Sequence, residues 1–416
     1  MEKFVIKGKK KLKGTIEVKG AKNDALVIFA ASLLTSQPVT IKNVPEIEDT
    51  THLLELMGKL GCKIERLKYG EYKIKTSILN SHLMSPDMAK KIRASILLTA
   101  PLLARLGRVK FPHPGGCVIG KRPIDQFIDG YKSMGAKIYN QGDLYEIIAP
   151  KLKASNFIFN NITVTGTESL IMAAVLAKGK TILKNCACEP EIKSLADFLN
   201  KCGAKITGAG TPYIMIDGVE KLKGSTHKTI PDRVEAGSFA ILAAATNSKI
   251  VINNCEPKHL DSLLNSLKKT GASLRIGKDS IKVIPSRLNS INIKTHEYPG
   301  FPTDLQAPFC VLLTQSKGSG LVHETIYEGR LLWTEELKRM GADIRTYDPH
   351  RIEIKGPTKL RGREIESPDI RAGMAYIIAA LCAKGTSTIN NIYQIDRGYE
   401  KIEERLRKVG ADIKRI

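Results

Sequence analysis

One cysteine and one aspartate, each delivered by a turn-rich segment, could do chemistry in this chain. The first lies in Phe111-Pro-His-Pro-Gly-Gly-Cys117-Val-Ile-Gly120-Lys121-Arg122-Pro123-Ile124-Asp125, which reads as a loop stiffened by Pro112, Pro114 and Pro123. Neighbouring cations favour a thiolate, so Cys117 is expected to titrate below the usual value of about 8.5, toward neutrality. A thiol in that range can donate a proton or act as a nucleophile. Gly115, Gly120 and Lys121 also have Walker A spacing. Arg122, however, stands where that motif needs the Ser or Thr that holds magnesium, which argues against a P-loop.

The second segment is Tyr298-Pro-Gly-Phe-Pro-Thr-Asp304-Leu-Gln306, where two prolines and a glycine predict a turn that sets Asp304 at a helix start. A plain N-cap aspartate is the bland alternative. Arginines follow beside acids in Glu328-Gly-Arg330, Asp369-Ile-Arg371 and Asp396-Arg397-Gly. Surface ion pairs would explain them. Gathered together, their planar forks would suit the carboxylate and phosphate groups of a substrate.

The elements that must position these residues repeat. A Gly-Ala-x-Ile-like cadence recurs at Gly61, Gly135, Gly203, Gly271, Gly341 and Gly410. Between glycines run an Ala/Leu-rich helical stretch, a short β-branched strand and a second, amphipathic helix. Each unit therefore reads as βαβα plus one or two further strands, with the glycine closing the second helix. Six units divide into two similar lobes, an α/β class. The first helix of each unit is introduced by polar residues, at Lys22-Asn23, Lys91–Arg93, Thr165–Thr167, Asp232-Arg233, Thr303-Asp304 and Asp369–Arg371. Capping explains the Asp, Asn and Thr, but cations oppose the positive end of a helix dipole. Their recurrence there fits helix ends that face an anion.

Composition narrows the class. The formal charge is +23, spread along the chain, with only 6% aromatic residues and no recognisable nucleic-acid module. Anionic small substrates are favoured over RNA, although a basic RNA-binding or RNA-end-processing repeat protein is the alternative from another class. Eight cysteines lack Cys-x-x-Cys pairs, and the histidines lack His-x-x-x-His spacing, so free thiols in a reducing cytoplasm and no metal are expected. No run reaches the ~18 apolar residues of a membrane helix, and no secretory h-region is visible.

These motifs resemble the enolpyruvyl transferases from end to end. The resemblance rests on Lys-Gly-Ala-Lys22-Asn23, Arg93-Ala-Ser, the Gly-Gly-Cys117 loop through Asp125, Thr167-Glu168, Glu189-Pro-Glu-Ile, Pro231-Asp-Arg, Pro-Gly-Phe-Pro-Thr-Asp304-Leu-Gln, Glu328-Gly-Arg330, Asp369-Ile-Arg371-Ala and Ile395-Asp-Arg397-Gly-Tyr-Glu.

The resemblance implies a two-lobed inside-out α/β barrel of six βαβαββ repeats, three per lobe about a pseudo-threefold axis. Residues 22–229 would form the N-terminal lobe, with the Cys117 loop. Residues 1–21 plus 230–416 would form the C-terminal lobe, with Asp304. The implied reaction moves the enolpyruvyl group of phosphoenolpyruvate to the 3′-hydroxyl of UDP-N-acetylglucosamine through a tetrahedral ketal, the first committed step of peptidoglycan synthesis. Cys117 would be the acid and Asp304 the base, with Lys22 and Arg397 also catalytic. Lys22, Asn23, Arg122, Arg330, Arg371 and Arg397 would bind phosphoenolpyruvate. Asn23, Arg93, Arg122, Pro123, Ile124, Asp125, Gln126, Thr163, Val164, Thr165, Asp304 and Ile326 would bind the sugar nucleotide. The implied protein is a cytoplasmic monomer with no cofactor, no nucleic-acid partner and no membrane insertion. Asn161, Phe127 and Thr165 depart from the commoner lysine, histidine and glycine of the family. A 5-enolpyruvylshikimate-3-phosphate synthase-like transferase is the alternative within the fold; that group lacks the Gly-Gly-Cys loop.

Overall fold

The glycine cadence has a backbone reason. In the computed structural model, which describes residues 2–113, 120 and 123–416, each of the six glycines stands two residues past a helix, with φ between 90° and 104°. The following residue donates its N–H to the carbonyl five positions back: Cys62 to Met57, Ala136 to Tyr131, Ala204 to Leu199, Ala272 to Leu267, Ala342 to Leu337 and Ala411 to Leu406, at 3.0–3.1 Å. That is the Schellman closure, which needs a left-handed residue and so selects glycine.

The chain forms two compact units. A discontinuous unit takes in Met1–Lys19 and Pro231–Ile416, and an inserted unit takes in Gly20–Gly116 and Arg122–Ile230. Each contains three sheets among its described residues. The sheets share one pattern: an edge strand runs parallel to the strand that follows the first helix, and two antiparallel strands complete the set, as a hairpin except where Phe4–Lys7 pairs with the distant Asp412–Arg415. In the inserted unit, Thr226–Lys228 pairs in parallel with Val39–Lys42, and the hairpin Lys63–Lys68/Glu71–Lys75 follows. Its counterpart in the discontinuous unit pairs Lys13–Glu17 in parallel with Lys249–Asn253. The sheet of Arg108–Pro112 has three strands, its parallel neighbour reduced to the single bridge Leu83–Lys110.

The Ala/Leu-rich stretches become six inner helices, introduced by Lys22–Ser32 (α1), Thr99–Leu106 (α2) and Val164–Ala174 (α3) in the inserted unit, and by Arg233–Ala245 (α4), Thr303–Thr314 (α5) and Ile370–Cys382 (α6) in the discontinuous unit. Five of them are largely apolar and mostly buried, as a helix at the centre of a domain must be, while α2 buries only Thr99–Leu103 and carries Arg105 in its last turn. The outer helices are one-sided. Glu48–Lys59 buries Leu53, Leu54, Leu56 and Met57, each contributing about 1.5–3 kcal/mol when fully covered. Each unit has its own apolar core, around Phe29, Tyr131 and Phe198 in one and Phe239, Phe309 and Tyr376 in the other.

Three expectations need correction. Phe111 and Pro112 end a strand instead of opening the loop; Pro112 is accommodated because Arg108–Pro112 is an edge strand, where a missing N–H costs little. In the second repeat a 3₁₀ turn, Arg93–Leu98, precedes the α-helix. In the last repeat the second, amphipathic helix is only Ile402–Lys408, starting just after Lys401 in the left-handed region (φ 43°), and a separate helical turn, Tyr393–Asp396, precedes it. Among the described residues no helix is long and apolar enough to cross a membrane.

Candidate active site

The starts of α4, α5 and α6 carry the acidic and basic residues singled out from sequence. At α4 and α6 the aspartates are caps. Asp232 Oδ1 accepts from the N–H groups of Val234 (2.8 Å) and Glu235 (2.9 Å), and Asp369 Oδ1 from those of Arg371 (2.8 Å) and Ala372 (3.1 Å). Asp304 is different. It is the second residue of α5, and Pro302 holds the N-cap position without a side-chain cap.

The Asp304 carboxylate instead meets two arginines. Arg330 Nη2 donates to Oδ1 at 2.7 Å, while Arg371 donates to Oδ2 from Nε (3.0 Å) and Nη2 (2.8 Å). Both guanidinium side chains are buried, at 4% and 8% exposure, against 30% for the carboxylate. Burial works hardest against the Arg371 charge, but Asp304, Tyr399 and Asp232 together outweigh it and hold its pKa above the ordinary value. Tyr399 steadies the same guanidinium: its hydroxyl accepts from Arg371 Nη1 at 3.4 Å and lies 3.0 Å from Ser238 Oγ. Two fixed, desolvated forks converging on one carboxylate make a site for a carboxylate anion.

A second buried acid builds the frame. Glu324, fully buried, accepts at Oε1 from Thr295 Oγ1 (3.0 Å) and the Ile326 N–H (2.8 Å), and at Oε2 from Thr303 Oγ1 (2.9 Å). It thereby ties the first residue of α5 to the segment that carries Ile326 and Arg330. Arg397 caps the short helix Tyr393–Asp396, and its Nη1 donates to Gln394 Oε1 at 3.1 Å. Its neighbour Asp396 is gripped by Arg415 at 2.7 and 2.9 Å.

In the inserted unit Lys22 opens α1, and its ammonium meets Asp49 Oδ2 at 3.0 Å, with side chains 15% and 3% exposed. Asn23 is exposed and Arg93 is half-buried at the start of its 3₁₀ turn. Thr163 is the N-cap of α3, accepting from the Gly166 N–H at 3.2 Å, and Val164 and Thr165 form its first turn. Pro123 is exposed and Ile124 buried ahead of the helix Asp125–Ser133; Gln126 Oε1 accepts the Asn161 N–H at 3.1 Å. Phe127 lies in the core at 4% exposure. Cys117 and Arg122 lie outside the described residues. Of the seven described cysteines, all are free thiols and six are buried.

Sequence reasoning missed several participants. Asp49, Glu324 and Tyr399 reach Lys22, Thr303 and Arg371 through the fold, and no local spacing marks them. Glu168, just inside α3, is buried, and its pKa is pushed well up by burial and by the nearby charges of Glu191, Glu189 and Asp24. Asp24 in turn accepts from the Ile230 N–H at 3.0 Å and lies 2.9 Å from His227 Nε2. Glu168, Glu189 and Glu191 stand in sequence motifs, but nothing local marks their convergence with Asp24.

The family model for EPSP synthase (3-phosphoshikimate 1-carboxyvinyltransferase) matches residues 6–406. Among similar curated proteins, the UDP-N-acetylglucosamine 1-carboxyvinyltransferase of Koribacter versatilis is 44% identical over 100% of this chain and 97% of its own length. The protein of the same name from Acidobacterium capsulatum is 45% identical, over 100% of this chain and 96% of its own length. Among solved structures, the enolpyruvyl transferase NikO from Streptomyces tendae superposes with a TM-score of 0.91 at 20% identity, covering 100% of this chain and 98% of that one. EPSP synthase from Acinetobacter baumannii gives 0.76 at 22%, with both chains covered in full. These likenesses confirm the mixed α/β fold. With the family match and full-length identities of this size, the chain belongs to the carboxyvinyltransferase (EPSP synthase) family.

Proposed function

We propose that the protein is a UDP-N-acetylglucosamine 1-carboxyvinyltransferase. It transfers the enolpyruvyl group of phosphoenolpyruvate to the 3′-hydroxyl of UDP-N-acetylglucosamine and releases phosphate, the first committed step of peptidoglycan synthesis. In this reading the two units are the family's lobes, residues 22–229 and 1–21 plus 230–416, each three βαβαββ repeats about a pseudo-threefold axis. The protein works as a cytoplasmic monomer on two small anionic substrates.

The chemistry is addition followed by elimination. Cys117 gives a proton to the methylene carbon, which makes the adjacent enol carbon electrophilic. The sugar hydroxyl attacks that carbon and passes its proton to Asp304. The resulting ketal then loses a methyl proton and phosphate to restore the double bond. Lys22, Arg122 and Arg397 hold the phosphate, and Arg330 and Arg371 hold the carboxylate with Arg397 and Asn23 nearby. Fixed cations of this kind lower the cost of the charge that gathers in the ketal. Asn23, Arg93, Arg122, Pro123, Ile124, Asp125, Gln126, Thr163, Val164, Thr165 and Ile326 contact the sugar nucleotide. Thr163 already uses its hydroxyl as a cap, so the diphosphate would be met by backbone N–H groups at that helix start.

The observation that carries the reading is the arginine pair on Asp304. It presents to a carboxylate the two forks that phosphoenolpyruvate requires, and it places the proposed base in the same contact. While both oxygens accept from guanidinium groups, the carboxylate is a poor base. The substrate carboxylate, by taking Arg330 and Arg371, would release Asp304 to receive the hydroxyl proton. Substrate binding and activation of the base are then one event.

The test is release of phosphate from phosphoenolpyruvate by the purified protein, with UDP-N-acetylglucosamine or shikimate 3-phosphate as acceptor. Release that depends on the UDP sugar supports the reading. Release only with shikimate 3-phosphate would move the protein to the function in the family model's name, and release with neither rejects both.

A further inference from the structure

A cluster of cations lies at the opposite ends of α4, α5 and α6. The C-termini of these helices border a cavity of about 700 Å³ in the discontinuous unit, lined by Lys9, Lys10, Lys11, Arg287 and Lys317 and by no acidic residue. The size falls in the ordinary range for small-molecule sites, roughly 300–1,000 Å³. α5 runs from Thr303 to Thr314, so the cavity at Gln315 is about 16 Å along the helix from Asp304. It is separate from the candidate active site.

Cations at helix C-termini have a bland explanation, since they can satisfy the last carbonyls and balance the dipole. Two observations exceed it. The relevant carbonyls are already met by other groups: Leu381 by the Lys9 N–H at 2.9 Å, Thr314 by the Thr358 N–H at 2.8 Å, and Leu242 by Thr246 Oγ1 at 2.7 Å. The charge balance also does not close. Three helix ends supply about −1.5 elementary charges in total, against five cations, none of them ion-paired with an acid among the described residues.

The inserted unit shows the bland solution for comparison. There a single guanidinium, Arg105, donates to the Leu33 carbonyl at the end of α1 (2.9 Å) and to that of Thr76 (2.8 Å). At that helix end one cation with direct carbonyl contacts suffices. The discontinuous unit instead keeps five cations around open volume, with the amides of Asn289 and Gln315 on the same wall.

The geometry points to a binding site for a small polyanion carrying a chain of phosphates. Lysines on flexible stems and one arginine fork can follow such a chain, and the ligand would relieve their mutual repulsion. The site is independent of the reaction proposed above.

Isothermal titration of the full-length protein with inorganic tripolyphosphate at about 0.1 M salt tests it, because screening at that strength removes only long-range attraction. The expected result is saturable binding that weakens at least tenfold in Lys10→Glu/Arg287→Glu, with basal turnover unchanged. Arg371→Ala, which disables the active-site forks, and the exposed control pair Lys63→Glu/Lys137→Glu should bind as wild type does. Absence of saturable binding overturns the assignment. So does loss of binding in Arg371→Ala with retention in the cavity variant, and so does equal weakening in the control pair. A parallel titration with ATP identifies the source: equal affinity assigns the site to the phosphate chain alone, and tighter binding adds a nucleoside. Either result supports the site.

Discussion

In the proposed reaction Asp304 has two roles that compete. As a base it must be free to accept a proton, yet both its oxygens are engaged by Arg330 and Arg371. Asp304→Ala should therefore lower turnover by at least about 100-fold, the usual worth of a positioned base. It should at the same time bind phosphoenolpyruvate more tightly, because the internal competitor for the forks is gone. Weaker binding, measured by calorimetry, would mean that the forks do not receive the substrate carboxylate. The pairing also shows where sequence stops being legible. Arg330 and Arg371 stand next to Glu328 and Asp369, but their partner is 26 and 67 positions away. Asp369 is spent on its own helix N-terminus, so adjacency in sequence named the participants without naming the contact. Glu168 gives a second prediction at this scale. Its folded pKa is raised by burial and then by Glu191, Glu189 and Asp24, so its contribution to stability is complete below the unfolded value of about 4.3 and is lost as pH rises through the folded value. Thermal midpoints of wild type should fall over that range, and Glu168→Gln should flatten the fall. An unchanged pH profile in the variant would assign the slope to other groups.

At the scale of elements, the legible features were those fixed by one residue's backbone. Gly203 has φ of 103° with open space where a Cβ would go, so Gly203→Ala isolates the backbone term, roughly 1–2 kcal/mol. The unfolding midpoint of the inserted unit should drop by a few degrees, and Gly203→Asn should recover part of it. An unaltered midpoint for the alanine variant would deny the closure its role. Elements held by distant side chains were not legible. Glu324 follows the strand Gly318–His323 and looks like an ordinary surface acid in sequence. It is buried because Thr295, Thr303 and Ile326 all donate to it. Glu324→Gln keeps the shape but turns one acceptor oxygen into a donor, which should cost about 1.5–3 kcal/mol in urea unfolding. If the carboxylate sets the angle between α5 and the Ile326–Arg330 segment, KM for phosphoenolpyruvate should rise with it; a stability loss at unchanged KM would confine Glu324 to the frame.

The whole molecule depends on a strand arrangement that periodicity does not reveal. The cadence counts six units, but it does not say that Lys13–Glu17 pairs with Lys249–Asn253, or that Thr226–Lys228 pairs with Val39–Lys42. Short β-branched runs carry no address for their partners, since a parallel neighbour is specified by packing over hundreds of residues. The consequence is an asymmetry between the two units. Gly20–Gly116 and Arg122–Ile230 make up the inserted unit, with its own core and all of its described strands, and the segment 20–230 spans it. That segment expressed alone should unfold cooperatively in urea. Residues 231–416 lack Phe4–Lys7, which lies between Thr386–Asn390 and Asp412–Arg415 and bonds to both. They also lack the edge strand Lys13–Glu17. Removing an interior strand leaves two rows of backbone groups unpaired and exposes the core face that Phe4 and Ile6 cover. The fragment 231–416 should therefore be non-cooperative by circular dichroism. Residues 1–19 joined to it through a flexible linker after Ile416 should restore the transition, since Lys3 already exchanges backbone hydrogen bonds with Ile416 at 2.9 and 3.0 Å and the two ends are adjacent. Cooperative unfolding of 231–416 without the N-terminal strands would show that the sheet tolerates their loss and that the split chain path is not what holds this unit together.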